Sequence, residues 1–103
     1  MVDLPWLMVG DFNEILSNNE KEGGNIRPQR CMQQFRDCLF DCNLEDLGFI
    51  GDKFTWRRGR IRERLDRAVS NQRWRDMIPL AMVINKDFSR SDHRPISVDC
   101  EYV

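Results

Sequence analysis

Carboxylate, amide and imidazole groups occur in three short segments of the sequence. Asp11 and Asn13 follow an apolar run and lie two residues apart, so on an extended chain their side chains point to the same side. A carboxylate can bind a hard cation or hold a water molecule, and an amide can donate a hydrogen bond to a phosphoryl oxygen. Asp and Asn are also favoured in ordinary turns, so this segment alone does not distinguish a site from a turn.

His93 is the only histidine in the chain, so any acid–base step that needs an imidazole must use it. It lies in a polar loop beside Asp92, whose carboxylate could orient a water molecule or complete the ligands of a cation. Asp66 could reach the imidazole and fix its tautomer. A surface histidine and a local Arg–Asp pair on a solvated strand are the simpler alternatives.

Short apolar or alternating runs predict the strands that would position these side chains. Buried strands are predicted at 7–12 and 80–84, and further strands at 54–56, 61–69 and 95–102. Within 61–69, alternation turns Leu65 to the core and Asp66 to the opposite face, together with Arg64 and Arg62. The last strand follows the loop that contains His93.

Helices and turns are predicted from other signals. An apolar stripe predicts a helix from about Gln29 to Cys42, and Asn71 is expected to cap a short helix that ends at about Met77. A helical turn is expected at 13–16, a surface loop at 17–28 and a hairpin tip at 57–60. This order predicts an α/β fold with a mixed or antiparallel sheet and covering helices, rather than a regular βαβ repeat.

Composition indicates one globular domain without an overall basic charge. The 103 residues are 41% hydrophobic and carry a formal net charge of -1, so bulk charge does not indicate a nucleic-acid-binding protein. From Arg57 to Arg67, however, six arginines and two acidic residues give a local charge of +4. This segment is either a phosphate-binding patch or a solvated hairpin.

Membrane and secretion signals are not found in the sequence. No apolar run approaches the ~20 residues that span a bilayer, and the N-terminal residues do not have the pattern of a signal peptide. The four cysteines do not have zinc-site spacing and are expected to be reduced thiols. We therefore expect an intracellular protein, of the nucleus or cytoplasm, that is not secreted.

Four motifs occur in one order along the chain and resemble a known family. They are Gly10-Asp11-Phe12-Asn13, Phe54-Thr55-Trp56, Arg64-Leu65-Asp66-Arg67 and Ser91-Asp92-His93-Arg94-Pro95-Ile96. In this order they resemble the C-terminal half of the endonuclease/exonuclease/phosphatase superfamily, which includes the exonuclease III-like abasic endonucleases. Three further segments are similar to plant LINE-type (non-LTR) retrotransposon endonucleases specifically. These are Asn13-Glu14-Ile15-Leu16, Glu20-Lys21-Glu22-Gly23-Gly24 and Phe35-Arg36-Asp37.

The resemblance implies a metal-dependent phosphodiesterase, and most specifically a DNA-nicking endonuclease with Mg²⁺ or Mn²⁺ as cofactor. Asp11 would position or activate the attacking water, or serve as a general acid, and Asn13 would contact the scissile phosphate. Asp66 would hydrogen-bond His93, which would act as general base or stabilise the transition state. Asp92 would help to bind the metal.

Contacts with the DNA are expected from the central hairpin. The resemblance places Trp56 near the substrate, although a strand tryptophan in the core is an equally good interpretation. Arg58, Arg60 and Arg62 of the basic segment are the predicted phosphate contacts. The Arg-rich hairpin and the LINE-like spacing favour nucleic acid over the lipid or inositol phosphates that another branch of the superfamily hydrolyses.

The resemblance also implies that residues 1–103 form half of a four-layer α/β sandwich. In the family, the N-terminal half supplies an asparagine and the glutamate that is the principal metal ligand. We therefore expect an uncovered apolar sheet face that favours self-association, and no cleavage by the chain alone. The alternative to an enzyme is a truncated, non-catalytic relic.

Overall fold

The computed structural model describes residues 4–102 and has a mixed α/β fold with two α-helices and three antiparallel sheets. The helices are α1 (Gln29–Asp41) and α2 (Gln72–Met77), and a 3-10 turn spans Asn18–Glu20. The strands are β1 (Leu7–Asp11), β2 (Lys21–Glu22), β3 (Glu45–Asp46), β4 (Trp56–Arg58), β5 (Ile61–Glu63), β6 (Asp66–Ser70), β7 (Met82–Asn85) and β8 (Ile96–Asp99).

The three sheets have the strand orders β1-β6-β3, β2-β5-β4 and β7-β8. In the first sheet, Asp11 at the end of β1 lies opposite Asp66 at the start of β6. Directly opposite residues on neighbouring strands have side chains on the same face, only about 5 Å apart. This register therefore brings two of the predicted site carboxylates together.

Both predicted helices are confirmed, and each has the local signal that predicts it. The stripe on α1 turns Met32 and Leu39 into the core. At the start of α2, the side chain of Asn71 accepts a hydrogen bond from the Trp74 N–H, as an N-cap residue does. Within residues 4–102, neither helix is long and apolar enough to cross a membrane.

The core has two clusters of buried side chains. Ile15, Met32 and Leu65 form one cluster, with Trp56 packed against it. The other cluster contains Leu39, Leu44 and Val69, with the partly buried side chains Trp6, Phe12, Leu16 and Phe35 around it. Helix α1 contributes to both clusters, so it holds the segment 12–16 against the sheets.

The strand predicted at 61–69 is wrong, because the chain leaves one sheet and enters another in this region. It forms β5 in the second sheet and β6 in the first, with Arg64 and Leu65 between them. The other strand of this hairpin begins at Trp56 rather than Phe54 and continues through Arg58. The turn itself is at Gly59, whose φ of +58° is a conformation that glycine adopts without strain.

Several burial predictions also need correction. Strand β1 was predicted to be buried, but Met8 and Val9 are 38% and 47% exposed, because β1 lies at the edge of its sheet. Segment 13–16 is not helical, since Asn13 has a left-handed φ of +54°. Segment 17–28 is not wholly a surface loop, because Glu20 is buried in an ion cluster. The strand predicted at 80–84 begins at Met82; Val83 is buried as predicted, but Leu80 is 56% exposed and precedes the strand.

Candidate functional site

Three of the five predicted catalytic side chains meet where β1 and β6 lie side by side. The Nδ1 atom of His93 is 2.7 Å from Oδ2 of Asp66, and its Nε2 atom is 3.7 Å from Oδ2 of Asp11. Asp66 is only 8% exposed, whereas Asp11 is exposed and His93 is partly exposed. The imidazole therefore lies between a buried carboxylate and one that faces the solvent.

The short contact fixes the tautomer of His93. An ionised carboxylate can only accept hydrogen bonds, so Nδ1 must carry a hydrogen, which it donates in a hydrogen bond to Asp66. In the neutral ring, Nε2 then keeps its lone pair. The 3.7 Å separation from Asp11 is longer than a hydrogen bond, so this lone pair is free to accept a proton from a third molecule.

The direction of the Asp11 carboxylate is set by the backbone that follows it. Its Oδ1 atom accepts a hydrogen bond of 2.7 Å from the Asn13 N–H, which closes an Asx turn. Asn13 is exposed, and its carbonyl is 3.5 Å from the Arg27 guanidinium. Because Oδ1 is held in this turn, Oδ2 is the atom that faces His93.

The loop that carries His93 is attached to β4 through the main chain. The Arg57 N–H donates to the Asp92 carbonyl at 3.0 Å, and the Arg94 N–H donates to the Thr55 carbonyl at 2.7 Å. These two bonds place His93 opposite Trp56 in an antiparallel bridge. Trp56 is half-buried against the core, as one interpretation predicts, and it is also a neighbour of His93. Its contact with a substrate stays a prediction.

The arginine side chain that follows His93 strengthens this attachment. The Nε atom of Arg94 donates to the Phe54 carbonyl at 2.7 Å, and its guanidinium pairs with Asp52 at 3.3 Å. It also stacks on the Phe88 ring, 4.3 Å from the centroid. Although His93 lies in a polar loop, the residues before and after it, Asp92 and Arg94, are both bonded to the β4 region.

The three predicted phosphate contacts do not share one face. Arg58 and Arg60 are exposed, and alternation along β4 places Arg58 on the same side as Trp56. Arg62 lies on the other side, because its register partner is Arg57. It pairs with Glu22 at 2.6 Å, so its charge is already compensated.

Two arginines that contribute to the predicted basic segment are not at the surface. Arg67 is fully buried and binds both oxygens of Glu20, at 2.8 and 3.2 Å, and Asp46 at 2.9 Å. Arg64 contacts the same two carboxylates at 2.9 and 2.8 Å. The prediction that Arg64 faces solvent beside Asp66 is therefore wrong. We call these four side chains the buried ion cluster.

The carboxylates of the buried ion cluster are held in their ionised form. Burial by itself raises the pKa of Glu20, but hydrogen bonds from Arg67 and Arg64 and the charge of Arg67 hold that pKa below its ordinary value. The pKa of Asp46 is likewise lowered against the effect of burial, mainly by Arg64. Glu20 and Arg67 are far apart in the sequence, and no local pattern marks Glu20 as buried.

Cation binding is possible at the meeting point of β1 and β6. Among the residues that the structure describes, Asp11, Asp66 and His93 offer ligand atoms that all lie within 4.8 Å of one another. Asp92 is exposed and outside this group, so its role as a metal ligand stays a prediction. Two carboxylates suit Mg²⁺ or Mn²⁺, which take oxygen ligands and keep several waters. Asp11 is the carboxylate that is open to such an ion.

No family model, curated protein or solved structure matches this chain.

Proposed function

We propose that this chain carries the acid–base part of a metal-dependent phosphodiesterase site that nicks DNA. The site would be of the kind found in LINE-type retrotransposon endonucleases, within the endonuclease/exonuclease/phosphatase superfamily. The observation that carries the proposal is the row formed by Asp66, His93 and Asp11, with contacts of 2.7 and 3.7 Å. The sequence motifs that resemble the family contribute all three residues of this row.

His93 can act as the base or as a donor to the phosphoryl group. Its Nε2 atom has a free lone pair on the exposed side of the ring, while Asp66 holds Nδ1–H and stabilises the imidazolium that would form. A water molecule held near Asp11 would lie close to Nε2, since the two atoms are 3.7 Å apart. Proton transfer from this water to His93 would produce the nucleophile for the phosphorus atom.

A divalent cation would supply the remaining chemistry, which is neutralisation of charge on the phosphoryl oxygens. Asp11 would hold it, with Asp92 as a predicted further ligand, and Asn13 would donate to the same phosphate. Asp92 and Asn13 are both exposed, so substrate can reach them.

DNA is supported as the substrate by the hairpin next to His93. Trp56 lies opposite His93, and Arg58 shares its side of β4. Arg60 lies in the adjoining turn and is exposed. Guanidinium groups bind phosphates through paired donors, independently of the base sequence.

The proposed fold is half of a four-layer sandwich. The exposed apolar side chains of β1, Met8 and Val9, support this proposal, because an edge strand of a complete domain is usually protected. Met8 and Val9 point to opposite faces of the sheet, so contact with a complementary sheet, or with a second copy of the chain, would remove one of them from water.

The test of the function is nicking of supercoiled plasmid by the purified chain in Mg²⁺, in Mn²⁺ and in EDTA. His93→Ala is compared with Gln34→Ala, a matched control on the exposed face of α1. Metal-dependent nicking that survives in Gln34→Ala and disappears in His93→Ala supports the proposal. Equal nicking by wild type and His93→Ala rejects the role of His93. If no protein nicks the plasmid, the chain is better explained as a non-catalytic relic.

A further inference from the structure

Thr55 contacts the chain on both sides of the Asp66–His93 pair. It is fully buried, and its hydroxyl oxygen accepts hydrogen bonds from the backbone N–H groups of Leu65, at 3.0 Å, and Asp66, at 2.9 Å. Its carbonyl accepts from the Arg94 N–H at 2.7 Å. One residue is therefore bonded to Asp66 itself and to the residue that follows His93.

The hydroxyl lies at the point where the chain changes sheets. Leu65 lies between β5 and β6, and Asp66 is the first residue of β6; Thr55 Oγ1 accepts hydrogen bonds from the N–H groups of both. A hydroxyl oxygen has two lone pairs, and both are used here. The direction in which Asp66 enters β6 is thus set by the side chain of Thr55, the residue that precedes β4.

The His93 loop is attached differently. It depends on the Thr55 carbonyl, the Asp92 carbonyl and the Arg94 guanidinium, none of which involves the Thr55 hydroxyl. Removal of the hydroxyl alone would therefore leave His93 in place and release the Asp66 backbone. The effect would be a change in the Asp66–His93 contact rather than loss of the loop.

We infer that Thr55 is a positioning residue that sets the distance and direction of the Asp66 carboxylate relative to the His93 ring. It touches neither the substrate nor a cation. Its importance for cleavage rests on the proposed function, but its effect on the His93 tautomer does not. Valine has nearly the shape of threonine without the hydroxyl, and serine keeps the hydroxyl without the methyl group.

The test is the tautomer of the only imidazole in the chain, observed by long-range ¹H–¹⁵N correlation in alkaline buffer, in which the ring is neutral. Wild type and Thr55→Ser are expected to show the Nδ1–H form. Thr55→Val is expected to show a mixture of the Nδ1–H and Nε2–H forms, since the contact with Asp66 is no longer held.

Ser70→Ala is the matched control, because Ser70 is a fully buried hydroxyl residue at the other end of β6. Its loss is expected to lower stability without altering the His93 tautomer. If Thr55→Val does not fold, Thr55→Cys replaces it, because a thiol is only a weak acceptor. A pure Nδ1–H form in the variant without the hydroxyl, or an equal mixture in Ser70→Ala, would overturn the inference.

Cleavage gives a second readout if the plasmid is nicked. Thr55→Val is then expected to lower kcat by roughly 10- to 100-fold, the usual effect of removing a group that orients a site residue, with little change in KM. Thr55→Ser, which keeps the hydroxyl, is expected to retain most of the wild-type kcat. A tautomer change without any nicking would contradict the proposed function and leave the role of Thr55 standing. Nicking by wild type together with an unchanged tautomer in Thr55→Val would support the proposed function and contradict the role of Thr55.

Discussion

Two groups of charged side chains meet at β6, and they differ in how completely their charges are compensated. In the buried ion cluster, Glu20 and Asp46 face Arg64 and Arg67, two charges of each sign, with contacts of 2.8–3.2 Å. In the candidate site, Asp66 is satisfied by His93, while Asp11 and Nε2 face each other across 3.7 Å. The charges of the first group are balanced within the group, although the Nε atoms of Arg64 and Arg67 have no hydrogen-bond partner among residues 4–102. The second group keeps an open gap between Asp11 and His93.

The alternation of β6 separates the two groups. Asp66 and Arg67 are consecutive, so their side chains point to opposite faces of the sheet. Arg67 points towards the Phe35 ring of α1, 5.5 Å away, and Asp66 points towards His93. Carboxylates are therefore structural on one face, where arginines pair with them, while on the other face the Asp11 carboxylate stays open to solvent.

The largest expected effect is on stability, from Glu20→Gln in the buried ion cluster. The change leaves Arg67 buried with one carboxylate instead of two, and loss of a buried charge partner costs about 3–5 kcal/mol. Urea denaturation measures this change in the free energy of unfolding. Glu22→Gln, which removes the exposed partner of Arg62, is the matched control and should change stability little. Equal effects of the two substitutions would show that the cluster is not structural.

The second effect separates function from stability. If the chain nicks DNA, His93→Ala should lower the rate of metal-dependent nicking by roughly 10²- to 10⁴-fold, as expected for loss of an acid–base group. Because His93 is partly exposed, the free energy of unfolding should fall less in His93→Ala than in Glu20→Gln. Nicking rates and urea curves of the two variants test this contrast. A His93→Ala protein that unfolds as easily as Glu20→Gln would contradict it.

The third effect is on the pH dependence of stability. Hydrogen bonds with arginine hold the pKa of Glu20 and of Glu63 below the ordinary value of 4.5, and the pKa of Asp46 below 3.8, against the effect of burial. A carboxyl whose pKa is lower in the folded state stabilises the fold above its unfolded pKa. This stability should be lost as the pH falls below about 4.5 and through the folded values.

Urea titrations from neutral pH to pH 3 measure this loss. Wild type should lose stability steeply over the acid range, and Glu20→Gln should show a shallower slope from a lower starting value. Parallel curves for the two proteins would mean that Glu20 does not contribute to the acid sensitivity.

The smallest expected effect concerns DNA affinity. Arg58→Ala should weaken binding and reduce the slope of log K against log salt by about 1, as for one lost phosphate contact. Arg62→Ala should have a smaller effect, because Arg62 lies on the other face and pairs with Glu22. Fluorescence anisotropy at several salt concentrations compares them. A larger effect of Arg62→Ala would reject the assignment of the DNA-binding face.

The parts of the fold that follow from local signals could be predicted from the sequence. The stripe of α1 and the Asn71 cap each depend on residues within a few positions, and both helices are where they were expected. The pairing of Asp66 with His93 was expected from the family motifs and agrees with the 2.7 Å contact.

The rest depends on pairings between distant residues. At the break between β5 and β6, the Thr55 hydroxyl accepts hydrogen bonds from Leu65 and Asp66, and hydrophobic alternation across 61–69 does not predict this break. Glu20 lies in a polar segment, and its burial follows only from Arg64 and Arg67, which are more than 40 residues away. A segment with six arginines looks basic until their partners are known.

The proposed function depends most on Asp11 as the open ligand of a divalent cation beside the Asp66–His93 pair. Substoichiometric Mn²⁺, which broadens NMR signals most strongly at short range, tests it most directly at the single imidazole. The His93 ring signal should disappear before the indole N–H signal of Trp74, which lies in α2 beyond the far end of β6. Asp11→Asn should abolish this difference, while Glu22→Gln should preserve it. Simultaneous loss of the two signals in wild type, or unchanged broadening in Asp11→Asn, would contradict the account.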